Sequence, residues 1–287
     1  MYGRRDVVAR IAAVALALLL AGSAEAANRC TLTATGACSS YHATIQDSVD
    51  TAVIGDRVVV GAGLYVEDVY VTKKINATGQ AGAVLNGEWH DDGVSGLREI
   101  RTITATLIRV TGGLSLKIIN GAGCVLIDGA ESTRVQGRTV AGCAVGIDLV
   151  DAVKPYISTV TAIANGIGIR ITRGSSTSQV FFNTFEGNAV AVQLNAASHT
   201  DVNSNDVACQ EGGVGFQMNV LAGAVNDTME YNQNAFTGCA GQHWQIQQCD
   251  GAYTVDPTLS PEINAQYGTN TADGATLPVV NTGAGGC

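Results

Sequence analysis

One stretch of the 287 residues gathers side chains that could do chemistry: GEWHDDGVSGLREIR, residues 87–101. Glu88, His90, Asp91 and Asp92 bring carboxylates and an imidazole together, and Arg98 and Arg101 follow closely. Cleaving a sugar chain takes paired carboxylates as acid and base, or a neutralised uronate and a base that abstracts its proton. Glu88, His90, Asp91 and Asp92 are therefore the candidate catalytic set. Trp89 is a candidate stacking face for a sugar ring, with Arg98 and Arg101 as candidate substrate-binding cations. The same run also reads as a charged, solvated loop that interrupts the pattern around it. Adjacent Asp91 and Asp92 point to different sides on most backbones. The remaining histidines, His42, His199 and His243, are isolated, and no CxxC pair occurs, so no metal site is expected. No cofactor is expected either, apart from Ca²⁺ if the chemistry were that of a lyase.

The elements that would position this cluster are repeats. GCAVGIDL (142–149), ANGIGIRI (164–171), GNAVAVQL (187–194) and GGVGFQM (212–218) share one alternating pattern. Val145, Ile167, Val190 and Val214 fall in one column; Ile147, Ile169, Val192 and Phe216 in a second; Leu149, Ile171, Leu194 and Met218 in a third. HWQI (243–246) continues the series with Trp244 and Ile246 inward. Alternation marks strands with one buried face. A unit this short holds one coil of strands, and stacking coils about 4.8 Å apart fills the interior with identical columns. The fold class predicted is all-β, a parallel β-helix, or solenoid, with a short N-terminal capping helix and disulfides. Asp148, Arg170, Gln193, Gln217 and Gln245 then form an outward column, with Asp148 and Arg170 a cross-strand ion pair. Asn183, Asn205 and Asn234 share their local context and read either as ordinary turn residues or as a ladder at one corner.

Residues 44–79 predict the cap. Thr44 is an N-cap candidate, Ile45, Val49 and Val53 follow at spacing four, and the strands Val58–Val60 and Val66–Val71 flank a GAGLY turn. The helix would cover the open end of the first coil. This segment resembles the N-terminal cap of right-handed parallel β-helix proteins of the pectin lyase-like superfamily, in pattern over roughly 44–250. Gly63-Leu64-Tyr65-Val66-Glu67 is similar to the first pectinesterase signature, but the motifs carrying pectinesterase, polygalacturonase and pectate lyase chemistry are absent. The resemblance implies a fold and transfers no catalytic residue.

The first 26 residues read as a signal peptide: Arg4, Arg5 and Arg10, the apolar run 11–22, then Ala24-Glu25-Ala26 as a cleavage site. The run is too short to span a bilayer. A disulfide loop at 27–43, the β-helix at 44–250 and an irregular tail at 251–287 complete the expected organisation. All eight cysteines lie beyond residue 26, which suits disulfides in an exported protein. The shared AGC context pairs Cys124 with Cys143, and the offsets from Asn205 and Asn234 pair Cys209 with Cys239. Cys30–Cys38 closes the first loop, and Cys249–Cys287 pins the tail. Charged residues are only 14 % and the net charge is −9, which excludes disorder and argues against nucleic acid as a partner. The expected protein is secreted or periplasmic, without a membrane span, and a monomer rather than a trimer. Two functions remain open. One is a non-catalytic β-helix that recognises a polysaccharide or cell-surface glycan, or stiffens the cell surface. The other is a polysaccharide lyase or glycoside hydrolase with its site near 88–101.

Overall fold

The computed structural model describes residues 26–172, 174–195, 197–220 and 233–239, with the strands at 244–248, 271–272 and 275–276. Residues 1–25, which hold most of the expected signal peptide, lie outside them, as do Cys249, Cys287 and most of the tail. The chain is a parallel β-solenoid of about seven turns, built from three sheets. Sheet I runs from Ser40–His42 and Asn28–Thr31 to Ser198–Asn203, and sheet II from Gly63–Tyr65 to Trp244–Gln248. Sheet III starts later, at Thr139–Ala141, and extends to Ala235–Thr237 and two short strands beyond.

The three predicted columns are in register. Val145 pairs with Ile167, then Val190 and Val214; Ile147 with Ile169, Val192 and Phe216; Leu149 with Ile171, Leu194 and Met218. Phe216 and Met218 continue to Trp244 and Ile246. Sheet I adds Val58, Ala77, Ile100, Ile118, Val135, Ile157, Val180 and Val202, and every one of them is buried. Burying one such side chain contributes about 1.5–3 kcal/mol, and each coil repeats the gain. Where sheet III supplies a larger ring, sheet II makes room. A Cβ on Gly168 would stand 2.8 Å from the Phe185 ring.

The helix, α1 (Ile45–Thr51), is N-capped by Thr44, whose hydroxyl accepts from the Asp47 amide at 3.0 Å. It buries Ile45, Ser48 and Val49 against the first strands. Two expectations need correction. Val53 lies past the helix end and is 59 % exposed, because the chain leaves the helix at Ala52; Val66 is 73 % exposed, and only Val69 and Val71 turn inward.

Disulfides join Cys30 to Cys38, Cys124 to Cys143 and Cys209 to Cys239, with Cα separations of 5.9, 6.1 and 4.8 Å. Such bonds fit an oxidising compartment. Among the described residues no helix is long and apolar enough to cross a membrane.

Candidate functional site

The polar run at 87–92 is not a loop. It belongs to the ten-residue strand Ala83–Asp92, which pairs with Val69–Val71 on one side and Thr104–Thr111 on the other. The register slips between Leu85 and Glu88, after which the strand alternates strictly. Trp89 and Asp91 point into the solenoid, while Glu88, His90 and Asp92 point out. Strand period alone therefore divides the candidate set between two faces.

The inward half is structural. Trp89 is 1 % exposed, so it offers no face to a sugar, and its indole nitrogen has no hydrogen-bond partner among the described residues. Arg98 begins the strand Arg98–Arg101 of sheet I and also points inward, at 1 % exposure. Its Nε donates to both Asp91 carboxylate oxygens at 3.1 and 3.0 Å, Nη2 donates to Oδ1, and Nη1 donates to the Leu114 carbonyl at 2.8 Å. Burial pushes the Asp91 carboxyl up, against the pull of Arg98 and with a further push from Asp92. Arg98 and Asp91 thus close the corner between sheets II and I from inside, and neither reaches a ligand. Arg101 turns outward on sheet I and pairs with Glu99 at 2.8 Å, on a different sheet from His90.

The outward half stands on sheet II. His90 stacks on Tyr70, ring centroids 4.5 Å apart and 9° from parallel. Its Nε2 lies 3.4 Å from Glu88 Oε2, and Arg109 Nε lies 3.5 Å from the same oxygen. Glu88 and Asp92 are four residues apart on one strand, about 13 Å along it. Paired acid and base carboxylates sit roughly 5–9.5 Å apart. The two do not form such a pair.

Tyr70, His90 and Arg109 are the start of a longer row. The register carries it through Leu126 to Asp148, Arg170, Gln193, Gln217 and Gln245. Asp148 and Arg170 form a two-pronged ion pair at 2.9 and 2.5 Å. Gln193 donates to Gln217 at 2.5 Å, and in the next row Asn219 donates to Asn195 at 2.6 Å. The sequence columns contain the Asp148–Gln245 part. Tyr70 and Arg109 escape them because their coils are shorter and fall out of phase with it.

The G-x-Y-x-E segment also has a defined role. Tyr65 Oη meets the hydroxyls of Thr31 and Thr33 at 2.7 and 2.8 Å. Glu67 accepts from the Ile45 and Gln46 amides at 2.9 and 3.0 Å, satisfying the first turn of α1. In this chain the motif fastens the cap. No group of three or more His, Cys, Asp or Glu among the described residues is placed to hold a metal ion. No family model matches the chain, and neither a curated protein nor a solved structure does.

Proposed function

We propose that this is an exported, non-catalytic β-solenoid that recognises a glycan along the outer face of sheet II, a design of the kind found in the pectin lyase-like superfamily. One observation carries the reading: the outward row that begins at Tyr70 reaches Gln217, and the register continues it to Gln245. From Asp148 through Arg170 and Gln193 to Gln217, carboxylate, guanidinium and amide groups recur at the coil spacing of about 4.8 Å. A repeating array of planar hydrogen-bonding groups suits a repeating ligand rich in hydroxyls. Division of the candidate catalytic set between interior and exterior supports binding over turnover.

The test is a glycan screen on the purified protein that reads both binding and new reducing ends or unsaturated uronates. Wild type should bind without turnover, and Gln193→Ala/Gln217→Ala should weaken binding about tenfold, as expected for two lost hydrogen bonds. Turnover that disappears in Glu88→Gln or His90→Ala would overturn the proposal in favour of the enzyme. Silence across the screen would overturn it in favour of a structural rod.

A further inference from the structure

A second surface, on sheet I, has the features of a charged-ligand site. On the outside of that sheet, Lys117, Arg134, Tyr156 and Gln179 occupy one row in register. Beside it runs a ridge of Ser115, Ser132, Lys154 and Thr177. All four have left-handed backbone, φ 60, 56, 53 and 54°. The Ser115, Ser132 and Lys154 amides each tie their corner to the next coil. Between ridge and row lie two hollows of about 280 and 230 Å³ that share Ser132 and Arg134, so together they make one furrow along the solenoid axis.

The furrow is cationic on a chain whose net charge is −9. Lys117 leans towards Glu99 at 3.5 Å, but among the described residues no carboxylate pairs with Arg134 or Lys154. The Arg134 guanidinium lies 5.5 Å from the centre of the Tyr156 ring, which orients it across the furrow. On the side of the row away from the ridge, Tyr156 meets Phe181 edge-on at 6.0 Å, and Phe181 meets Phe182 at 6.3 Å. Phe182 is 62 % exposed and sits at φ 57°, a conformation that costs a bulky residue free energy. The equivalent corners of the neighbouring coils carry Thr159 and Ser204 at φ 52 and 57°. An exposed ring at a strained corner, where small polar residues stand before and after it, presents an aromatic face to solvent.

We propose that this furrow binds an anionic glycan. Its carboxylate or sulfate groups pair with Arg134 and Lys154, and a sugar face rests on Phe182. Lys117 and Arg134, partners in register one coil apart, repeat a cation at about 4.8 Å, a step comparable to the length one sugar adds to an extended chain, and Lys154 adds a third from the ridge. Nucleic acid fits less well, because its affinity grows with the number of phosphates neutralised, and Lys117, Arg134 and Lys154 are the furrow's cations. The site is independent of the sheet II row and does not rest on it.

Binding of purified protein to immobilised polygalacturonate, heparin, a neutral glucan and a single-stranded DNA oligonucleotide tests this. One or both acidic glycans should bind, more weakly as salt rises, and the stronger identifies the oxyanion. Arg134→Ser/Lys154→Ser should weaken that binding about tenfold or more. Phe182→Ser should weaken it while raising the unfolding midpoint, a split that loss of folding cannot produce. Arg57→Ser, which removes an exposed cation near the capped end of the solenoid, should leave it unchanged. Equal binding by the Arg134→Ser/Lys154→Ser variant, equal binding of neutral glucan, or tighter binding of DNA would overturn the proposal.

Discussion

Up to Gln136 the chain has no third sheet and turns its corners on residues such as Gly123 and the buried Arg98, whereas from Thr139 onward the two corners beside sheet III stack asparagines. The early coils are short, as the steps from Ile100 to Ile118 and on to Val135 show. The later ones, from Val135 to Ile157 and on to Val180, are longer by about one short strand and its turn. The extra residues form sheet III and two corners beside it. At one, Asn183 and Asn205 donate their amides to the Oδ1 of Asn205 and Asn234 in the next coil, at 3.0 Å in each backbone bond. At the other, Asn165 does the same with Asn188. All five are buried, and each also donates Nδ2 to a carbonyl of the preceding coil. The pattern adds one identical unit per coil. Short coils have no room for it. Their corners turn on residues such as Gly123, at φ 104°, where a Cβ would lie 1.6 Å from the Ala105 carbonyl oxygen.

Arg138 stands where the two schemes meet, one coil before Val160 in the column that continues as Asn183. At 1 % exposure its guanidinium donates to the carbonyls of Gly123, Ile103 and Asn120 at 3.0 to 3.1 Å, and to Ala122. Burial brings its pKa down to about 10, so it keeps its charge at neutral pH. The Cys124–Cys143 bond crosses the same junction. A repeated corner can be closed by a repeated amide; a change of coil length needs a single long donor that reaches several carbonyls.

The comparison breaks most sharply at Asp91 and Arg98. Arg98→Ala leaves a buried carboxylate without its partner and should cost about 3–5 kcal/mol in chemical denaturation, whereas apolar replacement of both should be near neutral. The pH dependence is distinctive. A carboxyl raised in the folded state, as Asp91 is, contributes stability that is present below its ordinary value of 3.8 and lost as pH rises through the folded value. Asp56 is the reverse. Burial pushes it up, but the Val53 and Ala27 amides and Arg29 together hold it lower, so its contribution is lost as pH falls below 3.8. As pH falls, the stability gap between wild type and Asp91→Asn should therefore widen, and that for Asp56→Asn should narrow. Parallel behaviour of the two gaps would contradict the buried-pair account.

How much is legible in the residues follows the same division. The columns through Ile147 and Leu149 and the asparagines at 183, 205 and 234 show because each recurs once per coil, and the Asp148–Arg170 pair shows because it stands in the column between the first two. Whether those asparagines form a ladder depends on side-chain reach across coils, which spacing alone leaves open. Asn165 and Asn188 carry the same signal one coil apart, at a corner outside that column. The corner at Asp91–Arg98 occurs once, so self-alignment has nothing to match. Its polar run imitates a loop although the alternation of Glu88, His90 and Asp92 with Trp89 and Asp91 is present. What conceals the inward Asp91 is its partner, which lies farther along the chain and around a corner. The sheet I furrow stays hidden because Lys117, Arg134 and Tyr156 each stand a full coil apart in sequence, and only the stacked coils make them neighbours.

The asparagine corners sharpen the comparison at intermediate size. Asn205→Ala removes the acceptor of the buried Asn183 amide and the Nδ2 bond to the Val180 carbonyl. The expected loss is about 2 kcal/mol. Because each rung shares its neighbours, Asn183→Ala/Asn205→Ala should cost less than the sum of the single variants, read as a double-mutant cycle in urea. Additive losses would mean that the residues act as separate turns.

The smallest effect belongs to Asp148 and Arg170, which share the geometry of a strong pair and little of its energy. Their two bonds match those of Arg98 in form, and hydrogen bonding to Asp148, with its charge, holds the Arg170 guanidinium above its ordinary pKa against burial. Yet Arg170 is 33 % exposed, so water competes for both groups and salt screens them. Arg170→Gln should cost only about 0.5 kcal/mol, and less at high salt. Arg98→Ala should be almost insensitive to salt, because its partner is sealed from solvent. A loss at Arg170 as large as the one at Arg98 would show that hydrogen-bond geometry, rather than burial, sets the value of a charge pair in this solenoid.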